Sequence, residues 1–197
     1  LSNNQSLTSI NCTYNNLTSL DLSKNTSLAN VTNAMIGNQS VSLKANFDGN
    51  MIVIPFENSN LDNDNYVSST LDDYGDGSGF NFASFIAYDV SEIDGGIEYY
   101  CNTKLAGSEN MKVSVTVSRD FHQVSFYADS ENTSLIGRAF ANDGQSVTAP
   151  EIKNPPQCKV LDTWSDTLDN VTGDKSIYAN WKDAHSYSLS SFSNDTA

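Results

Sequence analysis

The first forty residues repeat themselves. Displacing the sequence by 21 positions lays Leu1 on Leu22, Ser2 on Ser23, Asn4 on Asn25, Ser6 on Ser27 and Leu7 on Leu28, with Ile10 falling on Val31. A half-period runs inside it: Leu7-x-x-Ile10-x-Cys12-x-x-Asn15-x-Leu17 is followed by Leu17-x-x-Leu20-x-Leu22-x-x-Asn25. A unit this short cannot bury its own apolar face and must stack on its neighbours, so the period restricts the fold more than any compositional figure does. The apolar positions point into a shared core. The asparagines sit where the chain turns and can bond backbone groups that the turn leaves unpaired. Further on the pattern decays, with Asn33 where a Cys or Leu is expected and Ile36 where an Asn is expected, as in a terminal capping unit.

Residues 17–28, Leu-Thr-Ser-Leu-Asp-Leu-Ser-Lys-Asn-Thr-Ser-Leu, resemble leucine-rich repeats, in particular the 21-residue kind of bacterial surface proteins. The resemblance covers residues 1–40 and implies the C-terminal end of a solenoid. Two repeats do not bury a core alone, so further repeats are expected ahead of Leu1. It also implies an extracellular, cell-surface location.

Composition agrees with a chain of strands and turns. Hydrophobic residues make up 38% and charged residues only 17%, and the polar balance lies in Asn, Ser, Thr and Asp, which favour turns over helix interiors. The net charge of −14 is uneven. Residues 1–40 balance one acid against one base, residues 41–118 carry twelve acids against three bases, and residues 119–197 carry eleven against six. No basic patch exists for nucleic acid, and an anionic membrane surface would repel the chain. No apolar stretch is long enough for a transmembrane helix, so direct membrane insertion is not expected. Cys12, Cys101 and Cys158 have no zinc-like spacing. Cys12 falls on an apolar repeat position and reads as a buried thiol.

Residues 41–118 read as a small β domain. Met51–Phe56 is an apolar run stopped by proline, Phe80–Tyr88 alternates in part, and Met111–Val117 alternates cleanly with Val113, Val115 and Val117 on one face. Asn58–Gly79, rich in Asp, Asn, Ser and Gly, reads as loop, and Gly95-Gly96 as a turn. In residues 119–183, the run Val124-Ser-Phe126-Tyr, then Gly144-Gln-Ser-Val147-Thr-Ala-Pro150, Val160–Trp164 and Ile177-Tyr-Ala-Asn-Trp181 resembles the Listeria–Bacteroides repeat, a β-grasp-like module also found as the B-repeat of internalins. Thr163 replaces the glycine that the family places before Trp164, and the family's Gly-Tyr lead-in is missing around Pro155–Lys159. Trp164 and Trp181 fall on family core positions, and residues 184–197 read as a tail. The fold expected is mainly β: the end of a leucine-rich repeat solenoid, a small β domain and a β-grasp-like module.

No catalytic, cofactor-binding or metal-ligating residue is assigned, and no cofactor is expected. His122 and His185 lack a partner in a nucleophile motif such as G-x-S-x-G. The acidic stretch with Asp62, Asp64, Asp72, Asp73 and Asp76 offers oxygens suited to calcium, but no Glu completes a D-x-[DN]-x-[DN]-G-x₅-E frame, and solvated turns explain the same residues. Ser9, Asn11, Ser19, Asp21 and Ser23 occupy outward repeat positions. They form a polar strip that suits glycan hydroxyls, a protein rim or plain solvent. The reading is a non-catalytic extracellular interaction or adhesion protein of a bacterial surface, its β modules acting as cap and spacer. The partner is a host or neighbouring-cell protein or glycan. The alternative is a carbohydrate-binding accessory region of a larger secreted hydrolase, which exposed paired aromatics would favour. An enzyme in its own right would require a grouped, buried carboxylate pair.

Overall fold

The computed structural model describes residues 1–28, 34–56, 61–81 and 84–184. Val31, Asn33, residues 58–60, Phe82, His185 and the tail after Ala184 lie outside them. The protein is mainly β, with no α-helix among the described residues. It divides into two compact units, Leu1–Gln123 and Val124–Ala197. The residues of the repeats and those of the following segment belong to the same first unit.

That unit opens with stacked turns of chain. Strand β1 (Ile10–Asn11) pairs in parallel with β2 (Ala34–Met35), Ile10 facing Ala34. The offset is 24, three more than the sequence period. With this register Ala34 takes the place of Ile10, Ile36 that of Cys12, Gln39 that of Asn15 and Val41 that of Leu17. Ala34, Ile36 and Val41 are all buried. The apolar pattern therefore continues, displaced by three residues, where the unshifted period made it decay. Backbone bonds hold the same register: Cys12 N–H donates to the Met35 carbonyl at 2.9 Å, Tyr14 N–H to Asn38 at 3.1 Å and Ser40 N–H to Asn15 at 2.9 Å. Gly37, at φ +59°, lies where an added Cβ would come within 2.6 Å of Thr13 Cγ2, so this close approach of two turns requires glycine.

Two buried amides satisfy carbonyls that no regular sheet covers. Asn25, fully buried, donates from Nδ2 to the Leu1 and Asn4 carbonyls at 3.2 and 2.8 Å. Gln39 donates from Nε2 to the Cys12 and Ile36 carbonyls at 2.7 and 2.8 Å and accepts from Leu17 N–H at 3.4 Å.

Two four-stranded sheets follow. One has the order β3 (Gln39–Lys44), β10 (Met111–Ser118), β9 (Ile97–Cys101), β6 (Tyr66–Ser69); its β3–β10 pair is parallel and the rest antiparallel. The other, β4 (Asn46–Asp48), β5 (Met51–Pro55), β8 (Ser84–Ala87), β7 (Gly79–Asn81), is antiparallel throughout. Alternation does the burying: Val113 and Val115 of β10, Ile97, Tyr99 and Cys101 of β9, Ile52 and Ile54 of β5, and Phe85 and Ala87 of β8. Tyr99 joins the sheets, packing against Phe56 and Phe85 at 5.5 and 5.4 Å between ring centroids. Its hydroxyl donates to the Thr18 carbonyl at 2.6 Å, and Leu22 N–H donates to Thr103 at 2.8 Å, so the stacked turns and the sheets share one framework.

Two expectations for this region are corrected. Phe80–Tyr88 is not one strand; β7 and β8 form a hairpin in which Phe80 faces Phe85. The stretch 58–79 is not all loop. It contains β6 and a 3-10 turn, Thr70–Tyr74, because Leu71 is fully buried and Asp72 Oδ2 accepts Ser69 N–H at 2.8 Å at the turn's start.

Strand β11 (Phe121–Tyr127), which enters the second unit at Val124, forms one sheet with β12 (Leu135–Asn142), β13 (Lys159–Trp164) and β14 (Lys175–Asp183) in the order β12-β11-β14-β13. From Val124 onward β11 pairs with β14 in parallel, and β13 pairs with β14 antiparallel. The long connection after β12 contributes Val147 to a core of Val124, Phe126, Ala141, Val171 and Ile177. Trp164 packs edge-on against Phe126 at 5.0 Å. Trp181 stands outside this cluster, half-buried, with its indole N–H on the Ala128 carbonyl at 2.8 Å.

Two stability outcomes follow. Gln39→Ala strands two carbonyls and one amide in the interior and is expected to lower unfolding stability by about 3 kcal/mol, against about 0.5 kcal/mol for a surface change such as Asn16→Ala, in urea titrations. Trp164→Ala is expected to cost about 3 kcal/mol and Trp181→Phe only about 1 kcal/mol, because the first leaves a cavity beside Phe126 and the second removes one hydrogen bond.

Candidate functional site

A groove of about 690 Å³ lies on the first unit. Asn11, Ser19, Asp21 and Ser23, four of the five outward repeat positions, line it; Ser9 does not. The repeat pattern gave no access to the facing groups, Asp62, Asn65 and Lys104, which arrive from loops remote in sequence. Their local signals are legible afterwards. Asp62-x-x-Asn65 is an Asx turn, in which Asp62 Oδ1 accepts the N–H groups of Asp64 and Asn65 at 3.0 and 3.1 Å and Asn65 Oδ1 accepts Asp62 N–H at 2.9 Å. Lys104 N–H is fixed on Asn102 Oδ1 at 2.7 Å, and its ammonium reaches Asp21 at 3.5 Å.

Charges of both signs meet in this groove. Hydrogen bonding from Ser23, then the Lys104 ammonium, holds the Asp21 carboxyl below the usual range. Lys24 and Lys104 stand beside Asp21 and Asp62, so both signs of charge line one groove. Leu17, Leu20 and Ile10 supply its apolar portion. Cys12 also borders it, but burial pushes that thiol up, away from the thiolate a nucleophile needs. Cys101 is buried, its thiol pushed up to about 11 by burial, and Cys158 is exposed.

The acidic stretch is organised by its own backbone. Asp62 caps its turn, Asp72 accepts both Ser69 N–H and the Tyr66 hydroxyl, the latter at 2.5 Å, and Asp76 Oδ1 accepts Ser78 N–H at 2.9 Å. Among the described residues no group of three or more His, Cys, Asp or Glu side chains is placed to hold a metal ion. Glu92, 7% exposed, accepts from Ser78 Oγ at 2.7 Å and from Tyr88 N–H at 3.2 Å; burial, with the like charges of Asp76 and Asp89, pushes its carboxyl up. His122 is half-buried at the start of β11.

No protein-family model, curated protein or solved structure matches this chain.

If the acidic turns use their oxygens as described, thermal melts in chelator and in millimolar calcium will coincide. A calcium-dependent rise of about 5 °C or more would show metal stabilising the native state.

Proposed function

We propose that this chain is a non-catalytic, extracellular interaction segment of a bacterial surface protein, and that the groove beside the stacked turns contacts its partner. The observation that carries this reading is the convergence of Asn11, Ser19, Asp21 and Ser23 with Asp62, Asn65 and Lys104 on one groove. Bonded turns hold these groups before any partner arrives, which lowers the ordering cost of binding. In this reading the stacked turns are the end of a leucine-rich repeat solenoid. The parallel β1–β2 pair and the Asn25 and Gln39 ladder bonds support that view. The second unit is read as a β-grasp-like module of the Listeria–Bacteroides kind. Its four strands in the order second, first, fourth, third, with the central pair parallel, support that reading. The two sheets of the first unit then act as cap, and the last module as spacer.

The test applies the 197-residue chain to arrays of extracellular host proteins and of glycans, beside an Asp21→Lys/Lys104→Glu variant. The expected result is saturable binding to a protein or glycan that the variant weakens about tenfold, or 1.4 kcal/mol. Binding that the charge exchange leaves unchanged would remove the groove from the reading. Absence of saturable binding on both arrays would remove the interaction role of this segment.

A further inference from the structure

The β4-β5-β8-β7 sheet buries one face and leaves the other open. Ile52, Ile54, Phe85 and Ala87 point inward and are fully buried. By alternation Met51 of β5, Ile86 of β8 and Tyr88 just past it stand on the opposite face, all half-buried. Strand β7 sets Gly79 beside Ile86, and two residues on, Asn81 shares that face. Where Gly79 contributes no side chain lies a trough of about 340 Å³, its lining including Met51, Ile86, Tyr88, Asp72, Ser78 and Asn81.

Two glycines keep the trough clear. A Cβ on Gly79 would meet Asp72 Oδ1 at 2.7 Å, and one on Gly77 would lie 3.5 Å from Tyr88 Cε2 and 3.6 Å from its hydroxyl oxygen. The carboxylate oxygen therefore stands over the open face, and the outer end of the ring lies against bare backbone. Gly77 and Gly79 also hold φ of +102° and +142°, which side chains resist. Bonds from elsewhere fix the walls. One oxygen of the buried Glu92 accepts Ser78 Oγ at 2.7 Å and Tyr88 N–H at 3.2 Å, tying the loop to the end of β8. Asp72 takes Ser69 N–H at 2.8 Å and the Tyr66 hydroxyl at 2.5 Å on Oδ2, and among the described residues no donor reaches Oδ1.

This lining selects a class of ligand. It holds no Lys or Arg, so nothing in it would neutralise an anion. A purely apolar molecule would cover Asp72 Oδ1 without giving it a donor. An ammonium ion is held best by several free aromatic faces, and the other ring of the lining, Phe80, is stacked on Tyr66 at 4.5 Å. A pyranose matches what remains: one face of C–H groups for Met51, Ile86 and the Tyr88 ring, and a rim of hydroxyls for the carboxylate and the exposed Asn81 amide. The volume stands at the low end of small-molecule clefts, roughly 300–1,000 Å³.

We propose that this trough is a saccharide-binding subsite, in which Tyr88 carries the apolar face of a sugar while Asp72 Oδ1 and Asn81 hold its hydroxyls. It shares no lining residue with the groove beside the stacked turns, so either can fail without the other.

Titration of the isotope-labelled full chain with glucose, galactose, mannose and N-acetylglucosamine, followed through its amide chemical shifts, tests this. At least one sugar is expected to shift the amides of residues 77–81 and 88, saturating in the millimolar range, and to leave those of Asp21, Ser23 and Lys104 in place. Tyr88→Leu and Asn81→Ala are each expected to weaken that binding about tenfold. The shift map of the parent decides the matter if a variant does not fold. No saturable shift with any of these sugars, shifts centred elsewhere, or binding that either variant leaves unchanged overturns the subsite. Saturation by tetramethylammonium in place of the sugars overturns its assignment to saccharides.

Discussion

The first unit depends on side-chain amides that reach from one turn of chain to carbonyls of another. A stacked, mostly irregular coil leaves backbone oxygens facing inward, where an unpaired one costs about 1–3 kcal/mol. Asn25 covers Leu1 and Asn4; Gln39 covers Cys12 and Ile36. Gln39 is also the first residue of β3, which pairs in parallel with β10 from Gln39↔Val113 onward. The residue that ends the stack of turns therefore sets the register of the first sheet. A parallel pair needs a long crossover, and here β4 to β9 lie between the two partners in the chain.

That slip explains what was and was not legible in the sequence. The period, the inward apolar positions and the role of the turn asparagines could be read directly, because each is local and repeats. The register could not. Carrying the 21-residue period forward put Ile36 on an asparagine position, whereas Ala34, Ile36, Gln39 and Val41 reproduce the spacing of Ile10, Cys12, Asn15 and Leu17 once three residues are allowed for. The clean alternation of Met111–Val117 announced β10 because one face is wholly buried. Phe80–Tyr88 misled because its aromatic residues fall on both arms of a hairpin. Strand β6 was hidden by its own composition: Tyr66-Val-Ser-Ser lies among Asp and Asn, and its pairing with β9 is a tertiary fact. The outward strip of the groove was legible for the same reason as the repeats. Asp62, Asn65 and Lys104 were not, since only the folded chain brings them to it.

The charge of −14 has a structural origin in this helix-poor chain. Eighteen of the twenty-four acids are aspartate rather than glutamate, and the short side chain is the one that reaches a backbone N–H two or three residues on. Asp21 does this with Ser23, Asp76 with Ser78, and Asp89 with Ser91. Asp129 accepts from Glu131, Thr133 and Ser134 and closes the hairpin before β12. Turn-making thus gives these aspartates a structural role and places them on loops.

Glu92 departs from that rule. Its longer side chain is buried and receives bonds from a loop fourteen residues earlier in the chain, where an aspartate would have capped its own turn. Ser78 Oγ and Tyr88 N–H both donate to one of its oxygens, bonds that an ionised carboxylate accepts most strongly, while burial and the nearby Asp76 and Asp89 oppose its charge and push the carboxyl up. Asp21 shows the opposite balance: bonded by Ser23 and beside the Lys104 ammonium, it is held below the usual range. Both carboxyls accept bonds from a serine, so it is burial and the sign of the neighbouring charge that set the two directions apart.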